Sequence, residues 1–279
     1  TIGITDAQEI VEKMKKSNST NLRLFTFGVG EDLNTKLLDI LAEENHGVRE
    51  YVATGEDIEI KVSSFFDKVS SPVLSNLRLQ FPSSDKLRIT EVYPREFPDL
   101  FRGSTVTLLG RYTGTGDQAI RLSGLLAGKQ QEFVFEVSFP EENGDNEMVP
   151  RLWAVRKVGF LLDQIRLHGE DPELKKEVVA LAKRFGIVTP YTSYLVIEDN
   201  IQTQQLRRDT MGGNLPQPPS AFAPAEEDRS RSFEGEQRKT DAKMKAESGK
   251  DAVETSTAFK QMKEAEAVDD GNTVASPKP

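Results

Sequence analysis

The chain has 279 residues, enough for one large or two ordinary domains. Hydrophobic residues make up 37% and charged residues 29% of it, a balance that predicts an unfolded portion beside a folded one. The net charge of −9 argues against a nucleic-acid partner, because phosphate repels an acidic surface. There is no cysteine, which excludes disulfides and thiol chemistry. No apolar run approaches the ~18–20 residues that span a bilayer, and because the chain begins at Thr1 rather than Met, we interpret it as a fragment.

The first seventy or so residues alternate between helical and strand patterns. Leu22–Val29 is a nearly continuous apolar run, typical of a strand buried on both faces of a sheet. Short apolar segments that alternate with amphipathic helices predict an α/β unit with parallel strands. The predicted elements are helix 7–16, strand 22–29, helix 34–44, strand 49–53 and helix 58–69.

A glycine pair, Gly28 and Gly30, follows the first strand and raises the question of a nucleotide site. A dinucleotide fingerprint requires a further glycine where Leu33 stands, ahead of a helix N-terminus that is free for phosphate. Glu31 and Asp32 occupy that region and would repel phosphate. We therefore interpret the pair as a tight turn between strand and helix.

From Ser70 onward the pattern changes to short alternating runs separated by turn residues. Ser71-Pro72 marks the exit from the first unit, since the residue before proline disfavours helix. Runs at roughly ten-residue spacing predict an antiparallel, sandwich-like unit. The acidic segment 141–147 lacks the ligand spacing of a calcium loop and is interpreted as a solvated turn. The predicted strands are 77–81, 87–92, 105–112, 119–125 and 132–139.

Two helices and a short strand follow. Pro150–His168 carries a wide apolar face that includes Trp153, which we interpret as a packing anchor. Asp171 and Pro172 begin a second helix, so the pair forms a helical hairpin. The stretch Glu177–Glu198 completes that helix at Gly186 and continues into an apolar strand, Tyr194–Ile197. We expect this stretch to be the structural centre of the chain, with Phe185 and Leu195 buried.

The apolar content falls sharply after Asn200. Residues 201–279 are rich in charged residues, Gln, Pro and Ser, and are predicted to form a disordered tail. One exception is 251–268, where apolar side chains recur at three- and four-residue steps and predict a marginal amphipathic helix.

Four motifs carry a family resemblance: Arg184–Val196, read as RFGIVTPYTSYLV, is the most specific, and the others are PRLWA at 150–154, SPVLSNL at 71–77 and FGVG at 27–30. They resemble the inter-alpha-trypsin inhibitor heavy chains, and the related bacterial proteins that pair a VIT domain with a von Willebrand factor type A domain. The resemblance implies that residues 1–70 are the C-terminal part of an A domain and that 71–200 are the β-rich domain that follows it. The disordered tail would begin at 201.

The resemblance also has a negative consequence for metal binding. The A-domain metal site uses an Asp-x-Ser-x-Ser loop, a middle-loop Thr and an Asp in a Thr-Asp-Gly turn. Thr1–Asp6 resembles the segment just after that last turn, and no Asp-x-Ser-x-Ser sequence occurs in this chain. The complete A domain is thus expected to bind Mg²⁺ through upstream residues. No catalytic, cofactor-binding or metal residue is assigned here.

Two functions from different classes are considered. The favoured one is a non-enzymatic protein-binding, adhesion or scaffold protein, secreted or at the cell surface, with a protein or matrix-like ligand. The alternative is a hydrolase that uses a Ser or Thr with His46 or His168. Neither histidine lies in a recognisable motif and no Gly-x-Ser-x-Gly elbow occurs, so we expect no enzyme activity. Two isolated histidines without cysteine also make a zinc site improbable.

Overall fold

A computed structural model describes most of the first 192 residues and part of the C-terminal region. The described residues are 4, 6–18, 22–30, 32–53, 55–70, 72–81, 86–101, 105–141, 146, 148–192, 242, 244–268 and 274–275.

The first unit is α/β, as predicted. Strands β1 and β2 pair in parallel, with Thr26 opposite Arg49 and Val29 opposite Val52. Each helix begins at a residue whose side-chain oxygen accepts a backbone N–H of the first turn, which satisfies donors that the helix itself cannot. The elements are α1 (Ala7–Ser17), β1 (Thr26–Val29), α2 (Thr35–Glu44), β2 (Arg49–Val52) and α3 (Ile58–Val69).

Gly28 serves side-chain packing. A Cβ atom at this position would lie 2.6 Å from side-chain atoms of both Leu33 and Tyr51, so any larger residue would push these side chains apart. Gly30, at the end of the turn, has a positive φ of 88°. Both features fit the tight-turn interpretation of the glycine pair.

The second unit contains two antiparallel sheets, in agreement with the predicted sandwich-like class. One sheet is four-stranded in the order β5-β3-β7-β8, and the other consists of β4 and β6. Most of the acidic segment 141–147 lies outside the described residues. The strands are β3 (Pro72–Gln80), β4 (Leu87–Tyr93), β5 (Leu100–Phe101), β6 (Leu109–Gly114), β7 (Gly116–Leu126) and β8 (Lys129–Phe139).

The helical hairpin consists of α4 (Met148–His168) and α5 (Pro172–Phe185). The Asp171 side chain caps α5 by accepting from the N–H groups of its first turn. Gly186 ends α5 with a left-handed φ of 65°, as its sequence context predicted. The predicted strand Tyr194–Ile197, with Leu195, lies outside the described residues.

The structural centre is α4 rather than the stretch Glu177–Glu198. Burial extends around most of α4, which has thirteen buried residues. In the described part of the stretch, 177–192, the buried residues are Val178, Ala182, Ile187, Thr189, Tyr191 and Thr192. Phe185, expected to be buried, is partly buried and packs against the core. Helix α4 is the structural centre because it packs against several other elements, among them α2, α5, β4, β6 and a helix near the C-terminus.

That further helix is α6 (Lys250–Lys263), which confirms the helix predicted at 251–268, although it ends five residues earlier and the segment around it was predicted as a tail. It packs along α4 and buries Ala252, Ser256 and Phe259. The weak amphipathicity of its sequence has a physical reason, since one residue of its buried face is a serine with a buried carboxylate as partner. Strands β9 (Ala267–Val268) and β10 (Val274–Ala275) pair after it. Most of the predicted disordered tail lies outside the described residues.

Candidate functional site

Charged side chains lie buried where α2, β2, α4 and α6 meet. We call them the buried ionic cluster: Asp39 of α2, Arg49 of β2, and Asp163 and Arg166 of α4 are buried, and the partly exposed Lys263 of α6 completes the cluster at its edge. The carboxylates of Asp39 and Asp163 have no exposed surface. The side chains of Arg49 and Arg166 are 8% and 2% exposed. Charges removed from water to this degree are tolerated only when they are paired and hydrogen-bonded.

Asp39 receives hydrogen bonds from three different elements. The Tyr51 hydroxyl donates to Oδ1 over 2.5 Å, and the Ser256 hydroxyl donates to Oδ2 over 2.7 Å. The Arg166 guanidinium donates to Oδ2 as well. Arg49 Nε lies 3.2 Å from Oδ1. One carboxylate thereby connects α2 with β2, α4 and α6.

Asp163 is the second connecting carboxylate. Arg49 Nη2 and Lys263 Nζ donate to its Oδ2 over 3.0 and 2.8 Å, and Arg166 Nη2 donates to Oδ1 over 3.3 Å. Burial alone would raise its pKa, but the three neighbouring cations hold the pKa of Asp163 well below its ordinary value. The carboxylate is therefore ionised at neutral pH.

Arg49 and Tyr51, which also contact these carboxylates, both have a raised pKa. Burial lowers the pKa of Arg49, but the carboxylates of Asp163 and Asp39 outweigh it and raise the pKa above its ordinary value. Burial and the neighbouring Asp39 raise the pKa of the Tyr51 hydroxyl. Tyr51 is accordingly a neutral donor and Arg49 a permanent cation.

Two further cations of α4 connect it to the β-rich unit and to α5. Arg156 donates through Nη1 to the Thr107 carbonyl over 2.5 Å and through Nε to the Ala265 carbonyl over 2.7 Å. Lys157 pairs with Glu91 of β4 and, over 2.6 Å, with Glu177 of α5. All the units of the fold are thus bonded to one helix.

The buried ionic cluster does not fit a metal site. Asp39 and Asp163 already accept from guanidinium, ammonium and hydroxyl donors, so a divalent cation would have to displace those partners. Among the described residues, no group of three or more His, Asp or Glu side chains is placed to hold a metal ion. Nor does the cluster fit a nucleophile, because Ser256 is fully buried and donates to a carboxylate rather than to an imidazole base.

The two histidines considered for the hydrolase alternative lie at the ends of different helices, and within the described residues neither has a hydrogen bond to a Ser or Thr hydroxyl. His46 is exposed just after α2, with Nδ1 3.4 Å from Glu96, and His168 is exposed at the end of α4. Trp153 is buried, as predicted for a packing anchor, and its indole N–H donates to the Glu91 carbonyl over 3.0 Å. No described helix is long and apolar enough to cross a membrane.

Sequence reasoning identified the apolar positions of α4 but missed its buried charges. A usable signal was present. The apolar residues of α4 include Ala154 and Val155, which follow Trp153 directly and lie on different faces of the helix. A helix that is apolar on several faces is buried on all of them. The charged residues of such a helix must then be buried as well, and they need partners of opposite charge.

Comparison with known proteins identifies relatives of this chain. Inter-alpha-trypsin inhibitor heavy chain H3 of Mesocricetus auratus is 27% identical over 228 residues, covering 77% of this chain and 25% of that protein. Human heavy chain H2 is 25% identical, covering 81% and 24%, and human heavy chain H4 is 26% identical, covering 73% and 23%. No family model matches.

A solved structure also resembles the chain weakly: the ArnB paralog VWA2 from Sulfolobus acidocaldarius. It is 18% identical, covers 62% of this chain and 52% of its own, and superimposes with a TM-score of 0.30, too low for a functional comparison.

The fold is an α/β unit followed by an antiparallel β-rich unit with a helical hairpin, as predicted from the sequence. Homologues of this chain include inter-alpha-trypsin inhibitor heavy chains, so the resemblance to the heavy chains inferred from the sequence motifs is confirmed. The chain spans about a quarter of the length of these relatives.

Proposed function

We propose that this chain is part of a non-enzymatic, protein-binding scaffold of the heavy-chain, von Willebrand A type. The observation that carries the proposal is the buried ionic cluster together with Arg156 and Lys157. These contacts bond the α/β unit, strand β4 of the β-rich unit and the hairpin to one helix, which supports a rigid frame. A rigid frame favours binding, because little conformational freedom is lost when a partner docks.

The domain division is part of the same proposal. Residues 1–70 form the C-terminal part of an A domain and 71–200 form the β-rich domain with its hairpin and a closing strand. In this proposal not all of residues 201–279 is tail. Helix α6 is assigned to the folded core, because it packs along α4. An extracytoplasmic location is part of this proposal and is supported by the similarity to the heavy chains.

A binding panel tests this proposal. The immobilised chain is exposed to purified extracellular matrix proteins in an optical biosensor, with and without EDTA, and is assayed in parallel with ester and peptide substrates. We expect saturable binding of at least one protein, unchanged by EDTA, and no turnover. Turnover that is lost on substituting His46 or His168 would overturn the proposal in favour of a hydrolase, and so would the absence of any binding.

A further inference from the structure

Strand β8 is an unusually long edge strand. It runs from Lys129 to Phe139 and pairs with β7 over its whole length without a register shift. On its other side it has no strand partner within the described part of the chain. Native proteins generally shorten, bulge or cover such edges, because unpaired N–H and C=O groups recruit a further strand.

The turn before β8 determines which backbone groups face outward. Ala127 and Gly128 both have positive φ, 49° and 78°, as in a two-residue hairpin turn of type I′. Leu126 and Lys129 then form the hydrogen-bonded pair that closes the turn, and bonding alternates along the ladder. The backbone N–H and C=O groups of Gln131, Phe133, Phe135 and Val137 therefore form hydrogen bonds with β7. The outward-facing backbone groups belong to Gln130, Glu132, Val134, Glu136 and Ser138.

The side chains of β8 divide into an apolar and an acidic row. Phe133 and Phe135 point to one face, opposite Leu122 and Ile120 of β7, and remain 44% and 51% exposed. Large aromatic side chains exposed on an edge strand favour an interaction surface over an ordinary solvated one. On the opposite face the row consists of Glu132, Val134 and Glu136, with Val134 52% exposed.

Charge indicates what kind of strand fits this edge. Antiparallel pairing with the same strand of a second copy, centred on Val134, would place Glu132 opposite Glu136 twice, and like charges directly opposite are destabilising. Glu132 is already 2.8 Å from Arg121 of β7. Glu136 lies opposite Ala119 and makes no ion pair among the described residues. A basic residue on an added strand would complement it.

We propose that the outer edge of β8 binds an extended segment of a partner protein in which basic residues alternate with apolar ones. Its backbone would bond to the outward groups around Val134. Its apolar residues would cover Phe133 and Phe135, and its lysine or arginine residues would face Glu132 and Glu136. This inference rests on the proposed protein-binding function and gives that function a surface and a partner class.

The test uses the full chain and a fluorescently labelled eight-residue peptide that alternates lysine with valine or phenylalanine. A matched peptide carries glutamate in place of lysine. Fluorescence anisotropy is expected to show saturable binding of the lysine peptide, at least tenfold weaker binding of the glutamate peptide, and weakening by salt. Equal affinity for the two peptides, or no saturable binding, would overturn the charge argument and with it the proposal.

Three variants locate the site on the edge. Val134→Pro removes an outward N–H, which an edge strand tolerates, and should lower affinity at least tenfold while thermal unfolding changes little. Val134→Thr keeps that N–H and should bind within about twofold of the unmodified chain. Glu136→Lys, which leaves the backbone intact, should weaken lysine-peptide binding and strengthen glutamate-peptide binding. Unchanged peptide affinity in both Val134→Pro and Glu136→Lys would overturn the proposal.

Two other outcomes separate the alternatives. Sedimentation that shows a concentration-dependent dimer, lost in Val134→Pro, would replace the basic partner by a second copy of this chain. If matrix-protein binding persists unchanged in Val134→Pro, the proposed function stands and the β8 site fails.

Discussion

Gly159 of α4 lies directly against Met262 of α6, with no room for a side chain between them. A Cβ atom at position 159 would lie 2.6 Å from the Met262 Cβ and 2.9 Å from the Lys263 backbone nitrogen. Both neighbouring atoms are fixed close to the α6 backbone, so the helices would have to move apart to make room. The glycine therefore sets the distance at which Ser256 and Lys263 reach the buried ionic cluster.

We expect Gly159→Ala to destabilise the protein although alanine is the better helix former. The intrinsic gain is about 0.5–1 kcal/mol, whereas overpacking of a close contact costs about 1–3 kcal/mol. Compared with the unmodified chain, amide hydrogen exchange in Gly159→Ala should accelerate most in α6, because that helix has to move away from α4. Lys183→Ala, on the exposed side of α5, is the matched control and should change the unfolding free energy by less than about 0.5 kcal/mol. Greater stability of Gly159→Ala would contradict this packing.

The buried ionic cluster predicts a defined pH dependence. The pKa of Asp163 is depressed below its ordinary value of 3.8, so its contribution to stability is present above that value and lost as pH falls below it. Asp163→Asn removes one of the two buried carboxylates that neutralise Arg49, Arg166 and Lys263, and should lower the unfolding free energy by about 3–5 kcal/mol at neutral pH.

Urea denaturation at a series of pH values measures this effect. The difference between the unmodified chain and Asp163→Asn should be constant near neutral pH and should shrink below about pH 4, where the unfolded carboxyl becomes protonated. Glu132→Gln, at the exposed pair with Arg121, serves as control and should show a small difference throughout. A difference that stays constant from pH 7 to pH 3 would contradict the depressed pKa.

Much of the fold could be predicted because local rules determine it. The caps at Asp171 and Gly186, the apolar run before Val29 and the alternating pattern of β7 and β8 each depend on neighbouring residues only. The parallel pairing of β1 and β2 followed from the order of elements.

The parts that escaped prediction depend on contacts distant in sequence. Ser256 is polar and gives no sign of burial, since its partner Asp39 lies 217 positions away. The importance of α6 was therefore underestimated, and α5 was given the central role that belongs to α4. The cluster mixes acidic and basic residues from four elements, and no short motif connects them. Only the many apolar faces of α4 indicated that its charges are buried.

Metal binding provides a direct test of the site assignment. We expect isothermal titration of the chain with Mg²⁺ or Mn²⁺ to give only weak, non-saturating heat. The carboxylates of Asp39 and Asp163 are satisfied by cations and hydroxyl donors, and displacing them would leave buried positive charge unpaired. Asp163→Asn serves as the comparison. A stoichiometric site with micromolar affinity that disappears in this variant would show that the cluster takes a metal ion.

The last prediction compares the two helices of the hairpin. Leu162 of α4 is fully buried, whereas Phe185 of α5 is partly buried. Truncating a buried leucine to alanine costs about 2–5 kcal/mol, through lost transfer free energy and the cavity that remains. Leu162→Ala should fall in that range, which is a large share of the about 5–15 kcal/mol that stabilises a domain.

Phe185→Ala should cost less than Leu162→Ala, because part of the phenyl ring already contacts solvent and less surface returns to water on unfolding. Lys183→Ala again sets the baseline. Chemical denaturation of the three variants should rank them Leu162→Ala, Phe185→Ala and Lys183→Ala in order of decreasing loss. If Phe185→Ala were the most damaging, the stretch Glu177–Glu198 would be the structural centre after all, and α4 would be only one of several helices packed around it.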